Sequence, residues 1–523
     1  MNSLPTSSTV AKPSFLHHPA TTTKSCDTGR LATNTPLDDT LPVPIRQTPS
    51  IQYPATTATS DSELCDASRL TIDILPDDVL LGIFASYLSW KESAWPTLVH
   101  VCQRWRNLAF DTPRHLKLQL YCSRGKPLRR TLDIWPPLPI VLQHINPPVQ
   151  DVDDIVAALE CNDRVRDIDL MGIAYPQLRI ILAKMEQVSF PALTHLRLMS
   201  CPSLIMVPAV PNSFLGGSAP LLRTLVLSHI PFPGLPKLLL SATNLVNLDL
   251  YNVPNSGHIS PEAMATCLST LTRLNSLGLD FQSYRLTPDQ ESRRPPRSVL
   301  PSLTRFYFRG VREYFEDFVS RIDAPLLERV RFVFQRQLVL DTPQLAQFLN
   351  RIPKLKTCKE VHVSLHSDVV TIELRLPSSM VPRFFLMTAC HLDERLSSLA
   401  RFCRSSLSLL PPLEHLCITD QPGVSRRQDR GDFDKNQWLG ILRPFAAAKN
   451  LYLSKEIVPH IAPALQLVGE SLALPSLQNL FLENPHPSGP VNDAIEKFIM
   501  ARQLSDRPIV IHDWDRLFWS SRG

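Results

Sequence analysis

The 523-residue sequence has little glycine and lacks the short motifs that mark the commonest enzyme sites. It has only 16 glycines, and no stretch matches GxSxG, GxxxxGK[ST], GxGxxG or HExxH. These absences argue against a nucleophile elbow, a phosphate-cradling loop, a dinucleotide-binding turn and a zinc protease helix. The string HDWD, residues 512–515, has no third metal ligand in reach by sequence. We therefore expect a protein that is not an enzyme and binds no metal or cofactor.

Other absences limit the compartment and the partners. The eleven cysteines form no CxxC pair, no Asn-x-Ser/Thr sequon occurs, and the amino terminus has no apolar signal-peptide core. This pattern favours reduced thiols and a cytoplasmic or nuclear protein. No apolar run reaches the 18 residues that a membrane span needs, which predicts no membrane partner. A net charge of +5 over this length is too dispersed to predict nucleic-acid binding.

Residues 1–68 are rich in serine, threonine and proline and hold few large apolar side chains. Such a composition buries too little surface to offset the entropy lost on ordering. The sequence therefore predicts a disordered tail.

Two short amphipathic helices are predicted in residues 70–112. Pro76 suits the first turn of a helix, and Asp77 and Asp78 suit the positive end of its dipole. Apolar side chains then recur at three- and four-residue spacing, at Val79, Leu80, Ile83, Phe84, Tyr87 and Leu88. A second set follows Pro96, at Leu98, Val101, Cys102, Trp105 and Leu108. Periodicity alone leaves two interpretations open, which are a cap on the next domain's core and an exposed docking surface.

The same stretch resembles an F-box. The matching positions are Leu75-Pro76-x-Asp78-Val79-Leu80-x-x-Ile83-Phe84-x-x-x-Leu88 and Val101-Cys102-x-x-Trp105-Arg106-x-Leu108-Ala109. Residues 113–142 are similar to the segment that follows the box in the large F-box families of mushroom-forming fungi. The resemblance implies a small all-α domain that docks on the Skp adaptor and, through it, on a cullin. It implies an adaptor interface and supporting core made by Leu75, Pro76, Val79, Leu80, Ile83, Phe84, Leu88, Val101 and Trp105.

A degenerate repeat follows the helices and a linker segment, residues 113–150, that contains a strand. Nine strings of the form apolar-x-x-apolar-x-apolar have central residues at Ile168, Leu196, Leu225, Leu248, Leu277, Phe306, Val330, Leu416 and Leu480. Successive spacings begin 28, 29, 23, 29, 29 and 24, in or next to the range of leucine-rich repeats. Poorer copies surround Val361 and Leu451, and residues 421–438 are predicted to be an exposed loop. The predicted fold class is α/β, with a leucine-rich-repeat-like solenoid over residues 151–523.

Residues that alternate with the buried leucines are predicted to line one face of the repeat sheet. In neighbouring repeats, Arg305 should lie beside Arg329 and Tyr307 beside Arg331. Arginine forks suit carboxylate or phosphate, so one interpretation is a pocket for an acidic or phosphorylated peptide. The other is a solvated charged face, partly neutralised by Glu313 and Glu328. The candidate substrate-binding residues are Arg305, Tyr307, Arg309, Arg329 and Arg331.

The resemblance implies the substrate-recognition subunit of a Skp/cullin/F-box ubiquitin ligase, in which the repeats bind a protein substrate and ubiquitin transfer belongs to other subunits. Two alternatives remain at this point. One is a scaffold or regulatory F-box protein that never delivers substrates for ubiquitination. The other is an unrecognised enzyme in the repeat domain.

Overall fold

The computed structural model describes one unit of the chain, which begins at Ile72. The described residues are 72–122, 128–145, 147, 152–202, 208–281, 297–335, 342–366, 369–377, 379, 381–389, 395–407, 412–420, 435–471, 474–483 and 489–515. The predicted tail, residues 1–68, lies outside them, as do residues 421–434 of the predicted loop. The last four residues of that predicted loop are helical, because an apolar helix begins at Lys435.

The unit opens with three helices and then alternates strands with helices or irregular crossovers. The helices are α1 (Asp77–Trp90), α2 (Trp95–Val99), α3 (Gln103–Asp111), α4 (Leu128–Ile134), α5 (Val152–Glu160), α6 (Tyr175–Gln187), α7 (Leu235–Leu239), α8 (Pro261–Leu268), α9 (Arg312–Ser320), α10 (Pro343–Asn350), α11 (Arg395–Ser405), α12 (Lys435–Leu442), α13 (Val458–Ser471) and α14 (Pro490–Leu504). Within the described ranges, no helix is both long enough and apolar enough to cross a membrane.

Sixteen of the described strands form one sheet, and a separate pair, β8 (Ser298–Val299) and β10 (Ile322–Asp323), forms a second. The sixteen are β1 (Leu120–Cys122), β2 (Ile140–Ile145), β3 (Val165–Ile173), β4 (His195–Ser200), β5 (Thr224–Ser228), β6 (Asn247–Val253), β7 (Ser276–Phe281), β9 (Arg305–Gly310), β11 (Arg329–Phe334), β12 (Glu360–Leu365), β13 (Val369–Arg375), β14 (Phe384–Ala389), β15 (His415–Asp420), β16 (Asn450–Leu453), β17 (Asn479–Leu482) and β18 (Val510–Asp513).

The register of the sheet confirms the predicted repeat. The central residues of the first seven strings, from Ile168 to Val330, pair side by side from β3 to β11. A second row joins Val361, Leu416, Leu451 and Leu480 across β12, β15, β16 and β17. All these side chains are buried. Each of these strands therefore contributes one inward apolar side chain to a continuous core, as in a solenoid-like repeat fold.

Between the two rows the regular repeat is interrupted. The strand β12 does not pair with β11, because the chain turns back through β13 and β14 and places β14 beside β11. Of the described strands, β13 alone runs antiparallel to its neighbours. The two inserted strands, β13 and β14, explain why the interval from Val361 to Leu416 is longer than one repeat.

The helices and the sheet share one hydrophobic core. It extends from Leu80 in α1 to Ile509 before β18, and consecutive crossover helices pack against one another. The strands β1 and β2, which lie in the predicted linker segment, extend the same sheet from β3. The other sheet face carries the residues that alternate with this core, and the candidate substrate residues lie there. Most of them are half-buried or exposed, but Cys417, Tyr452 and Trp514 form a small buried cluster of their own.

Candidate functional site

The start of α1 is fixed against α3. Pro76 has an extended backbone and precedes the helix, which begins at Asp77. The Arg104 guanidinium of α3 contacts the Asp77 carboxylate at 2.6 Å and donates a hydrogen bond to the Leu75 carbonyl at 2.6 Å. The packing of α3 against the start of α1 therefore determines which side of α1 faces solvent.

The inner face of α1 carries three of the residues expected at the adaptor interface. Leu80, Phe84 and Leu88 are buried, and the Phe84 ring packs on Trp105 with 4.7 Å between centroids. Trp105 and Leu75 are partly buried against the same core. These five side chains belong to the supporting core, because the fold already covers all or much of each one.

A second apolar row on α1 remains exposed. Val79, Ile83 and Tyr87 are 42 to 43% exposed and Trp90 is 91% exposed. Their spacing of four, four and three residues places them on one side of the helix. Val101, between α2 and α3, is also exposed. We call these five residues the helical surface. Val79, Ile83 and Val101 belong to the predicted adaptor interface, whereas Tyr87 and Trp90 do not. Pro76, which was also predicted at that interface, is exposed just before α1.

The two tryptophans of the predicted interhelical linker have opposite environments. Trp95 is 2% exposed, and its indole Nε1 donates a hydrogen bond to the Gln119 carbonyl at 2.6 Å. Its ring also packs edge-on against Trp135 at 4.9 Å. Trp95 therefore joins the helices to the first strands of the sheet, whereas Trp90 contributes only to the exposed surface.

The predicted arginine and tyrosine cluster forms where β9 and β11 pair. Arg305 lies opposite Arg329 and Tyr307 lies opposite Arg331, which confirms the predicted adjacency. Their strands are parallel and their buried neighbours alternate with them, so all four side chains share one sheet face.

These four residues help to line an open cavity of about 540 Å³, a volume within the usual range for ligand sites. We call it the arginine cavity. Its other lining residues are Arg197, Thr224, Val226, Asn247, Asp249, Tyr251, Ser276, Leu277, Phe306, Val330, Val381, Pro382 and Phe385. The cavity thus extends across seven neighbouring strands, from β4 to β14.

One wall of the arginine cavity was not predictable from the repeat. The segment that carries Val381, Pro382 and Phe385 leads into β14 and belongs to the inserted strands. The Arg331 guanidinium lies 4.5 Å from the centroid of the Phe385 ring. This cation–π contact holds the guanidinium toward β14. The aromatic residues of the string RFFLMTA, residues 383–389, are its only sequence signal.

Arg309 does not line the arginine cavity. Its guanidinium lies 3.7 Å from the carboxylate of Asp280, whose side chain is only 4% exposed. Burial raises the pKa of Asp280, and the charge of Arg309 opposes that rise. Arg309 therefore balances the charge of Asp280 on β7 and also forms a hydrogen bond with Tyr307, and its role in substrate binding stays a prediction.

The predicted neutralising carboxylates have other partners. Glu313 contacts Arg312 at 2.9 Å and Glu328 contacts Lys354 at 3.5 Å. Among the described residues, the guanidinium groups of Arg305, Arg329 and Arg331 have no carboxylate within 4.0 Å. This side of the arginine cavity therefore carries positive charge that no ion pair within 4.0 Å among the described residues neutralises.

The opposite side of the arginine cavity is acidic and phenolic. Burial raises the pKa of Asp249, while a hydrogen bond with Tyr251 and the charge of Arg305 lower it. Burial, followed by the Asp249 charge, raises the pKa of Tyr251 to about 12. Burial also raises the pKa of Tyr307. Both tyrosines therefore stay neutral and can donate hydrogen bonds at physiological pH.

Two histidines of the sheet lie away from the arginine cavity, His362 and His512 of the HDWD string. His362 is on β12, and β13 and β14 separate it from β11. His512 shares a hydrogen bond with Asn479 at 3.1 Å and stacks on Phe481. In the described part of the chain, no group of three or more His, Cys, Asp or Glu side chains could hold a metal ion.

Comparisons with known proteins give no family assignment. No family model matches the sequence, and no curated protein matches it significantly. One similar solved structure is the leucine-rich repeat-containing protein LegL7 from Legionella pneumophila, with 11% sequence identity and a TM-score of 0.23. The match covers 73% of this chain and 97% of that chain. The chain is thus described by its own architecture, a mixed α/β repeat protein with one long, mainly parallel sheet.

Proposed function

We propose that this chain is the substrate-recognition subunit of a Skp/cullin/F-box ubiquitin ligase. The helical surface docks on the Skp adaptor, the adaptor links the chain to a cullin, and the repeat sheet binds a protein substrate. In this proposal the chain itself performs no covalent chemistry.

The observation that carries the proposal is the exposed apolar row of α1. Val79, Ile83, Tyr87 and Trp90 remain on one helix side although the fold buries Leu80, Phe84 and Leu88 next to them. An exposed row of large apolar side chains is typical of a helix that packs on a partner. The row lies within the segment that resembles an F-box, and this coincidence favours the adaptor as the partner.

The test is co-purification of the full chain with its partners, identified by mass spectrometry. A Val79→Asp, Ile83→Glu variant places charge in the helical surface, and Leu504→Asp places charge on a more exposed apolar residue of α14, outside that surface. We expect the intact chain and the Leu504 variant to retain adaptor and cullin, and the double variant to lose both. Retention by the double variant would refute the docking surface.

The cullin distinguishes the proposed receptor from an F-box scaffold. Adaptor without cullin, recovered with the intact chain, would favour the scaffold. Adaptor with cullin, together with ubiquitination of a bound protein, would support the receptor.

A further inference from the structure

Arg305, Arg329 and Arg331, which have no close ion pair among the described residues, define two separate positions for negative charge. Arg305 and Arg329 are direct neighbours across β9 and β11 and form the first position. Arg331 forms the second, two residues further along β11, where Phe385 holds its guanidinium on the side away from β9. The two positions therefore follow the strand direction.

The distance between the two positions matches an extended peptide. A strand rises about 3.3 Å per residue, so Arg329 and Arg331 are roughly 6.6 Å apart along β11. Alternate side chains of an extended segment have the same separation and point to the same side. The oxygens of one carboxylate or one phosphoryl group lie much closer together, so a single such group would occupy one position and leave the other vacant.

Asp249 restricts where an anion can lie. Asp249 lies on β6, directly beside Gly278 of β7, and its Oδ1 atom fills the space that a side chain at Gly278 would need. Asp249 thus occupies the middle of the arginine cavity and repels negative charge from that side. Anionic groups are directed to β9, β11 and β14.

We infer that the arginine cavity binds an extended acidic segment of the partner protein, with two carboxylates at alternate positions. One carboxylate lies between Arg305 and Arg329, and the other lies on Arg331 beside Phe385. Guanidinium forks pair well with carboxylates, and the cation–π contact holds one fork in place before binding. This inference rests on the proposed role of the repeat sheet in substrate binding.

Oriented peptide arrays test the inference with the full chain. Each probe has randomised flanks around one fixed core, which is Glu-Ala-Glu, Ala-Glu-Glu, a single Glu, or a single phosphoserine. We expect Glu-Ala-Glu to be retained about tenfold more than Ala-Glu-Glu or the single Glu, the gain from one further charge-assisted pair. The adjacent glutamates of Ala-Glu-Glu point to opposite sides, so only one of them reaches the arginines.

A Phe385→Ala variant tests the second position separately. Without the ring, Arg331 is no longer held, and retention of Glu-Ala-Glu should fall toward that of the single Glu, which should itself be unchanged. Phe481→Ala is the matched control, because Phe481 is a partly buried aromatic residue of β17, outside the arginine cavity. It should leave all four probes unchanged.

Two outcomes would overturn the inference. Stronger retention of phosphoserine than of Glu-Ala-Glu would indicate a single phosphoryl position. Equal retention of all four probes, or no retention of any probe, would indicate a solvated strand face that binds no specific segment. Adaptor binding by the same preparations separates this failure from failure of the proposed function, because the helical surface and the arginine cavity have no residue in common.

Discussion

The helical surface and the arginine cavity both place exposed side chains next to buried ones, but in different ways. On α1, the exposed Val79 and Ile83 each directly precede a buried residue, Leu80 and Phe84, and all four are apolar. Along β9 and the first half of β11, exposed or half-buried polar residues alternate with buried apolar ones. The first surface therefore presents hydrophobic area and the second presents charge.

The comparison shows which side chains maintain the fold and which remain available to a partner. In the strands, residue type alone separates the two roles, because arginine and tyrosine alternate with phenylalanine and valine. In α1, residue type does not separate them, and only the position of α3 decides which apolar side chains are covered. Substitutions at neighbouring positions of α1 should therefore have very different effects.

The largest expected effect is on the core of the helices. Leu80→Ala and Phe84→Ala should each cost about 2 to 5 kcal/mol of stability, because each leaves a cavity in a buried cluster. Faster hydrogen exchange throughout α1–α3 would report the loss, and adaptor binding would fail with it. Val79→Ala, Ile83→Ala is the matched control and should leave exchange unchanged. Equal effects of the two pairs would remove the distinction between inner and outer rows.

The second prediction compares the two tryptophans. Trp95→Ala should cost about 3 to 5 kcal/mol, because it removes a buried ring and leaves the Gln119 carbonyl without its indole donor. Trp90→Ala should change stability by less than about 0.5 kcal/mol, as expected of an exposed side chain. Thermal unfolding of the two variants measures the difference. A similar shift for both would mean that Trp90 packs within the fold.

The third prediction separates Arg309 from the arginine cavity. Arg309→Leu leaves the buried Asp280 without its cation and should cost about 1 to 2 kcal/mol near neutral pH. The pKa of Asp280 is already raised by burial, and losing the cation raises it further. A raised pKa in the folded state means that stability is lost as pH rises through that pKa. The cost should therefore be smaller at about pH 5 than at about pH 8.

Urea unfolding at the two pH values measures this dependence. Arg305→Leu is the control and should be neutral or slightly stabilising, since Arg305 has a cationic neighbour across the strand pair and no carboxylate partner among the described residues. A larger cost for Arg305→Leu than for Arg309→Leu would contradict the assignment.

The smallest expected effect is electrostatic tuning inside the arginine cavity. Asp249→Asn removes a negative charge near Arg305 and should tighten binding of the Glu-Ala-Glu probe by about two- to fivefold. The substitution keeps the side-chain shape and a hydrogen-bond acceptor for Tyr251. Fluorescence anisotropy at low and high salt checks the result, and the gain should shrink as salt rises. A weaker affinity would show that Asp249 itself contacts the ligand.

Much of the sheet could be predicted because its signal is local. The apolar-x-x-apolar-x-apolar strings predicted the paired core residues from Ile168 to Val330, and the alternation predicted the neighbours of Arg305 and Tyr307. Each such string places its own strand and shows which side faces inward.

The rest depends on contacts between distant segments. The wall of the arginine cavity that contains Phe385 comes from a strand that enters the sheet out of order, so repeat spacing could not place it. Arg309 has the same alternation as Arg305, and only the burial of Asp280 separates their roles. On α1, apolar residues extend over more of the helix surface than α3 and the core cover. Their spacing therefore predicted a helix, but it could not predict which of them are exposed.

The most direct test of the central claim is to titrate the purified Skp adaptor against four forms of the full chain. These are the wild type, Val79→Asp with Ile83→Glu, Arg305→Glu with Arg329→Glu, and all four substitutions together. Loss of one or two anchors at a docking surface costs at least about 2 kcal/mol, or roughly thirtyfold in affinity. Both forms that carry the helical substitutions should lose at least that much, and the arginine form should bind like the wild type. Unchanged binding by the helical variant, or a comparable loss in the arginine variant, would contradict the account.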